Sequence, residues 1–226
     1  MIGEIYHVGA PAIINQSLNS LMAFGVNFIL IRISSTAVAA FGIYIKVQNF
    51  IFMPAFGLNN GVIAITAFNY GAKNKKRIDS TIKYGMLYAF CIMLIGTLLI
   101  QLFAAPLAAL FDASPELMAV GIPAMRIICL SYILVAFTLI GQGIYQALGN
   151  GFYSLIITLM RVIILLLPLL YLFSKLFALQ AVWWAFVIAE CGSAAAGAFL
   201  LDRIYRQRVM PLKDKEGSNE GNSIYD

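Results

Sequence analysis

Two ionisable residues stand apart in this sequence: Arg161 and Glu190 both lie inside long apolar runs. An unpaired carboxylate at such a place costs about 2.5–3.5 kcal/mol on insertion scales, so Glu190 must be neutral or paired. The turn between the two runs centres near Leu176. Arg161 lies 15 residues before it and Glu190 lies 14 after it. Antiparallel helices would bring the two to nearly the same depth, which predicts an ion pair or a charge-assisted hydrogen bond. Glu190 is then either a proton or cation relay or a structural staple, and the staple is the favoured reading.

Carboxamides form the second pattern. Asn15, Asn19 and Asn27 recur at near-helical spacing in the first run. Gln48, Asn49, Asn59, Asn60 and Asn69 interrupt the second, and Ser131, Thr138, Gln142 and Tyr145 share one face of the fourth. One amide in a membrane helix can serve as an interhelical hydrogen bond worth about 0.5–2 kcal/mol. Three stripes together point to a hydrated cavity between helices, because a polar face needs water or a partner. The expected lining is Asn15, Asn19, Gln48, Asn49, Asn60, Gln142 and Tyr145, with Met53 and Phe56 as soft apolar contacts. Pro54 and Gly57 would kink the second helix and could free carbonyls toward that cavity.

Other chemistry is absent from the pattern. No Ser-His-Asp set, HExxH or paired catalytic carboxylates occur, so an enzyme is not expected. His7 has no evident ligand partners, and Cys91, Cys129 and Cys191 sit in apolar segments without CxxC spacing. No metal site, disulfide framework or cofactor is expected. Gly141-Gln142-Gly143 and Gly149-Asn150-Gly151 lack the strand and lysine of a phosphate loop.

These residues must be positioned by membrane helices. Of 226 residues, 62% are hydrophobic and only 11% charged, and the mean hydropathy is +0.88. A soluble globule of this composition would expose too much apolar surface. A crossing takes about 20 apolar residues, and six runs can be drawn: about 8–31, 43–69, 82–110, 118–148, 152–173 and 179–201. They are continuous and too long for barrel strands, so the expected fold is an all-α bundle of six transmembrane helices. That lobe fills residues 1–205, and 206–226 reads as a polar, disordered cytoplasmic tail. Pro106 should bend or fray the end of the third run, and Trp183-Trp184 reads as an interfacial aromatic pair.

The net charge of +5 is concentrated in two clusters. One is Lys73, Lys75, Lys76, Arg77 and Lys83; the other is Arg203, Arg206, Arg208, Lys213 and Lys215. With six crossings both fall on one face, which the positive-inside rule makes cytoplasmic together with both termini. Nucleic acid is not an expected partner; the lipid bilayer is. Glu4 stands where a signal peptide would carry basic residues, so the first apolar segment is expected to stay in the mature protein.

Several motifs in order carry a family likeness. They are Val8-Gly9-Ala10-Pro11-Ala12-Ile13, Ala39-Ala40-Phe41-Gly42-Ile43-Tyr44, Phe52-Met53-Pro54-Ala55-Phe56-Gly57-Leu58, Asn69-Tyr70-Gly71-Ala72, Gln146-Ala147-Leu148-Gly149, and Trp183-Trp184-Ala185-Phe186 before Ala189-Glu190. Over nearly all of residues 1–210 the chain resembles the C-terminal half of multidrug and toxic compound extrusion (MATE) transporters, near their MepA-like branch. The resemblance implies a twelve-helix fold of two six-helix lobes in a bacterial plasma membrane. It implies export of amphipathic, often cationic, compounds from a cleft between the lobes, in exchange for sodium ions or protons.

Only one lobe is present in this sequence. Several family members keep a coupling aspartate in the N-terminal lobe, and some others place coupling carboxylates on the first and fourth helices of the C-terminal lobe; the first and fourth spans hold no acid here. No ion site is carried over, and Glu190 matches only a helix-six position of the branch. The chain is then a fragment, the favoured expectation, or it is completed by a second copy or a partner lobe. Two further functions remain: a lipid-linked glycan flippase of the same superfamily, whose cavity should be basic, and a non-transporting accessory subunit.

Overall fold

A computed structural model describes the backbone of residues 2–212, with side chains from residue 13 onward except Gln16. The side chains of Glu4 and His7 and the tail from 213, with Lys213, Lys215 and the segment 217–226, lie outside the described residues. No strand occurs among the described residues. The helices are α1 (Ile2–Leu30), α2 (Ser35–Gly71), α3 (Lys75–Ala109), α4 (Pro115–Ile128), α5 (Tyr132–Ala147), α6 (Gly151–Leu159), α7 (Leu167–Leu176), the single turn α8 (Leu179–Val182) and α9 (Trp184–Ile204). A 3-10 turn, Cys129–Ser131, joins α4 to α5. A π-helical segment, Met160–Leu166, joins α6 to α7, and another, Tyr205–Val209, extends α9. Six stretches are long and apolar enough to cross a membrane: Ile13–Leu30, Ser35–Gly71, Lys75–Ala109, Pro115–Ala147, Gly151–Leu176 and Leu179–Val209.

The breaks between stretches follow local chemistry. Ser34 caps α2 by accepting a hydrogen bond from the Thr36 N–H, Asn74 caps α3 through the Arg77 N–H, and Ser114 caps α4 through the Leu117 N–H. Each satisfies an N–H that the first helical turn leaves without a partner. Gly149, with φ of 76°, turns the chain between α5 and α6, a backbone conformation that a side chain would oppose.

Prolines disturb the ladder without ending it. Pro106 has no N–H to donate, and Phe103 departs from helical geometry (φ −115°, ψ 20°) while α3 continues to Ala109. Pro168 stands two residues past Leu166, the end of the π-helical segment, in the first turn of α7; a missing donor at that position favours such a local rewinding. Pro54 and Gly57 do not produce the expected opening. Helix α2 runs on through both, and both lie on its exposed side.

Helix α5 is the centre of the bundle, packed against α2, α3, α6 and α9. It belongs to the most buried of the six stretches, as its small and apolar face requires. Ala189, Ser193 and Gly197, spaced four apart, are buried along α9 and let it approach α5 closely. Two expectations need correction. Trp183 is not interfacial: it is 0% exposed, because the short turn α8 swings it inward between Val182 and Ala185, and only Trp184 is exposed. The sixth helix also does not stop near Leu201. Ile204 and Val209 are buried, and the Tyr205 hydroxyl donates to Asp79 Oδ1 at 2.7 Å, so helical backbone continues past residue 205 to Val209. That bond ties the end of α9 to the start of α3 and brings Arg203, Arg206 and Arg208 to the side of the bundle where α3 starts at Lys75.

Candidate functional site

A cavity of about 670 Å³ opens between α1, α2, α5 and the fifth and sixth spans. Its polar wall carries Asn15, Asn19, Gln48, Asn49, Asn60 and Gln142, the expected amides, together with Asn59, Gln146, Ser131 and Thr138. The same lining is rich in rings: Phe41, Tyr44, Phe52, Phe56 and Phe186. Phe41 stacks on Tyr44 with centroids 5.9 Å apart and meets Phe186 at 5.7 Å.

A polar hub closes one end of the cavity. Asn15 Nδ2 donates to Ser154 Oγ at 2.9 Å, and the Ser154 hydroxyl reaches Gln142 Oε1 at 3.4 Å. Gln146 Nε2 approaches the Ser154 oxygen at 3.5 Å. One buried serine of α6 thus holds α1 and α5 in register. Asn15 Oδ1 and Asn59 Oδ1 are buried without a protein partner. A hydrated cavity supplies such atoms with water or a ligand; a dry core would leave them costly.

A second cluster also borders the cavity. Glu190 Oε1 accepts from the Thr138 hydroxyl at 2.8 Å, and Arg161 Nη1 stands 3.5 Å from Glu190 Oε2. The side chains of Arg161 and Glu190 are 22% and 7% exposed, so the pair is mostly withdrawn from the cavity it borders. Arg161 sits in the π-helical segment, whose wider turn sets its direction toward α9. The three groups come from the fourth, fifth and sixth spans and tie them together. No cluster of metal-ligating side chains occurs among the described residues.

Residues 11–172, well over half of the chain, match the family model MatE. The chain belongs to the MatE family. Multidrug export protein MepA of Staphylococcus haemolyticus (strain JCSC1435) is 25% identical over 201 residues, covering 89% of this chain and 44% of that protein. A solved structure of MATE in the straight conformation aligns with a TM-score of 0.85 at 26% identity, over 93% of this chain and 47% of that one. A MOP superfamily transporter from Pyrococcus furiosus Vc1 (DSM3638) aligns with a TM-score of 0.84 at 26% identity, over 93% of this chain and 47% of that one. This MatE chain therefore spans about half the length of the relatives it matches.

Not every residue expected in the MatE cavity stands there. Tyr145 is 1% exposed and turned to the other side of α5, where its hydroxyl donates to the Gly197 carbonyl at 2.6 Å. At about 100° per residue, Gln142 and Tyr145 lie on opposite sides of Thr138, separated by about 60° of helix. That rotation divides the cavity side from the α9 side. Met53 is 71% exposed and is not on the wall, since it lies one helical step past the inward-facing Phe52. Asn27 also does not line the cavity, and Asn69 donates to the Ile65 carbonyl within its own helix. One contributor is hard to find by sequence reasoning. Ser154 is a small hydroxyl that looks like packing in an apolar run, whereas Thr138 and Asn59 already belong to the polar stripes of the fourth and second runs. Gly143 is the sequence sign for Asn59, because a Cβ at Gly143 would collide with Asn59 Oδ1.

Proposed function

We propose that this chain is one six-helix lobe of a multidrug efflux transporter in a bacterial plasma membrane, with its basic face cytoplasmic. It exchanges sodium ions or protons for amphipathic, often cationic, organic compounds, and a second lobe or a second copy closes its cavity. The observation that carries this reading is the cavity itself. Amides that can both donate and accept line it together with a bank of aromatic rings. Membership of the MatE family and the likeness to MepA, a multidrug export protein, support it.

The wall chemistry suits ligands of varied shape. Carboxamides fix orientation without burying a charge, and ring faces accept both apolar bodies and organic cations. Among the described residues Glu190 is the only acid on the wall, and Thr138 and Arg161 already occupy its oxygens. Cation recognition in this lobe therefore falls on ring faces and amide oxygens. Arg161 is the only basic residue among those described on the wall and is matched by Glu190. A glycan pyrophosphate carrier would need unmatched basic charge there.

The test is drug susceptibility in efflux-deficient cells carrying the chain alone or with a companion MatE lobe. Resistance that disappears with Asn19→Ala or Gln142→Ala, and persists with Leu102→Ala on the outer face, supports the reading. Failure to confer resistance in either setting contradicts it.

A further inference from the structure

We propose that a second site, on the far side of α5 from the drug cavity, holds an anionic glycerophospholipid. Helices α3 and α9 both pack on α5 with little direct contact between them. The space they leave is a groove of about 540 Å³ lined by Ile82, Met86, Phe137, Ala198, Leu201 and Tyr205. This lining is apolar along most of its length and open at the surface, the form an acyl chain needs.

Among the lining residues, charge appears only at one end of the groove. Asp202 lies there, held by Arg206 Nε at 2.9 Å, and Tyr205 reaches Asp79. The bond between Tyr205 and Asp79 joins the segment bearing Arg203, Arg206 and Arg208 to the start of α3, which bears Lys75 and Lys83. On α3, Lys83 follows Ile82 of the lining and is exposed; beyond Tyr205, Arg208 is exposed on the π-helical turn. The chain segments at this end carry five basic residues (Lys75, Lys83, Arg203, Arg206 and Arg208) against two carboxylates, Asp79 and Asp202. An apolar slot ending in a net basic mouth at the membrane surface complements a lipid with one acyl chain in the slot and its phosphate among the bases. A zwitterionic lipid would leave most of that charge unanswered.

Thr138 lends the site a consequence, for it lines both the groove and the drug cavity. Its hydroxyl holds Glu190 on the cavity side. A chain seated in the groove presses on the helix face that fixes the Arg161–Glu190 pair.

Native mass spectrometry of the purified full chain, given equal amounts of phosphatidylglycerol and phosphatidylcholine, tests the site. Phosphatidylglycerol should be retained in preference. Lys83→Gln and Arg208→Gln should each lower that preference by about fivefold, the worth of one basic charge near a membrane surface. Ala198→Phe, which fills the groove from an exposed position, should lower retention while leaving thermal stability unchanged. Equal retention of both lipids overturns the proposal. So does a preference that Ala198→Phe leaves intact, which would be surface charge alone, or a dimer that Ala198→Phe dissociates, which would place a second copy in the groove.

Discussion

Removing Arg161 should destabilise the lobe, and removing Glu190 as well should restore most of the loss. Thr138 donates to one Glu190 oxygen at 2.8 Å, and Arg161 faces the other at 3.5 Å. Both charged side chains are largely buried. With Arg161→Met the carboxylate keeps a single neutral donor, and breaking a buried pair from one side costs about 3–5 kcal/mol. Replacing both partners by apolar groups of similar volume is close to neutral, so Arg161→Met/Glu190→Met should recover to within about 1–2 kcal/mol of the parent. Thr138→Val deletes a hydrogen bond to a charged group, worth about 1.5–3 kcal/mol. In the Glu190→Met background the same change should cost much less. The assay is unfolding of the purified chain in mixed micelles by a denaturing detergent, followed by circular dichroism. A double variant whose loss equals the sum of the single losses would refute the coupling, and the staple with it.

Two further outcomes follow from the packing of α5. Tyr145→Phe should lower stability by about 1 kcal/mol through loss of the bond to the Gly197 carbonyl. It should leave ligand affinity at its parent value, unlike Gln142→Ala, as measured by dye binding and thermal shift on the same preparations. Gly143→Ala should cost about 1–3 kcal/mol, because the new methyl meets Asn59 Oδ1, and Asn59→Ala in the same chain should return part of the loss in a thermal melt.

Much of this architecture could be read from the residues. The long apolar runs forced helices, and the near-equal distances of Arg161 and Glu190 from the turn at Leu176 placed two sequence-distant charges together. Amide spacing on α1 and α2 selected the wall that Asn15, Asn19, Gln48, Asn49 and Asn60 share. What escaped depends on rotation about a helix axis and on neighbours that one helix does not specify. Gln142 and Tyr145 look alike by spacing, yet about 60° of rotation puts one in the cavity and the other under α9. Trp183 carried the composition of an interface residue, but a single turn of backbone before it decided its burial. Ser154 gave no signal, since a hydroxyl in a membrane helix most often bonds its own backbone, and only the opposing Asn15 reveals its role; Thr138 stood on the polar face of the fourth run, but its partner Glu190 lies on another helix.

A carrier of this kind requires that the carboxamide wall face water rather than lipid. In a chain with Cys91, Cys129 and Cys191 replaced by serine or alanine, single cysteines at Asn19, Gln142 and Leu102 can be challenged with a membrane-impermeant maleimide in intact and opened vesicles. Cysteines at Asn19 and Gln142 should react from the aqueous phase and be shielded by a bulky organic cation, while the one at Leu102, on the outer face of α3, should not react. Positions 19 and 142 as inert as position 102 would contradict the account.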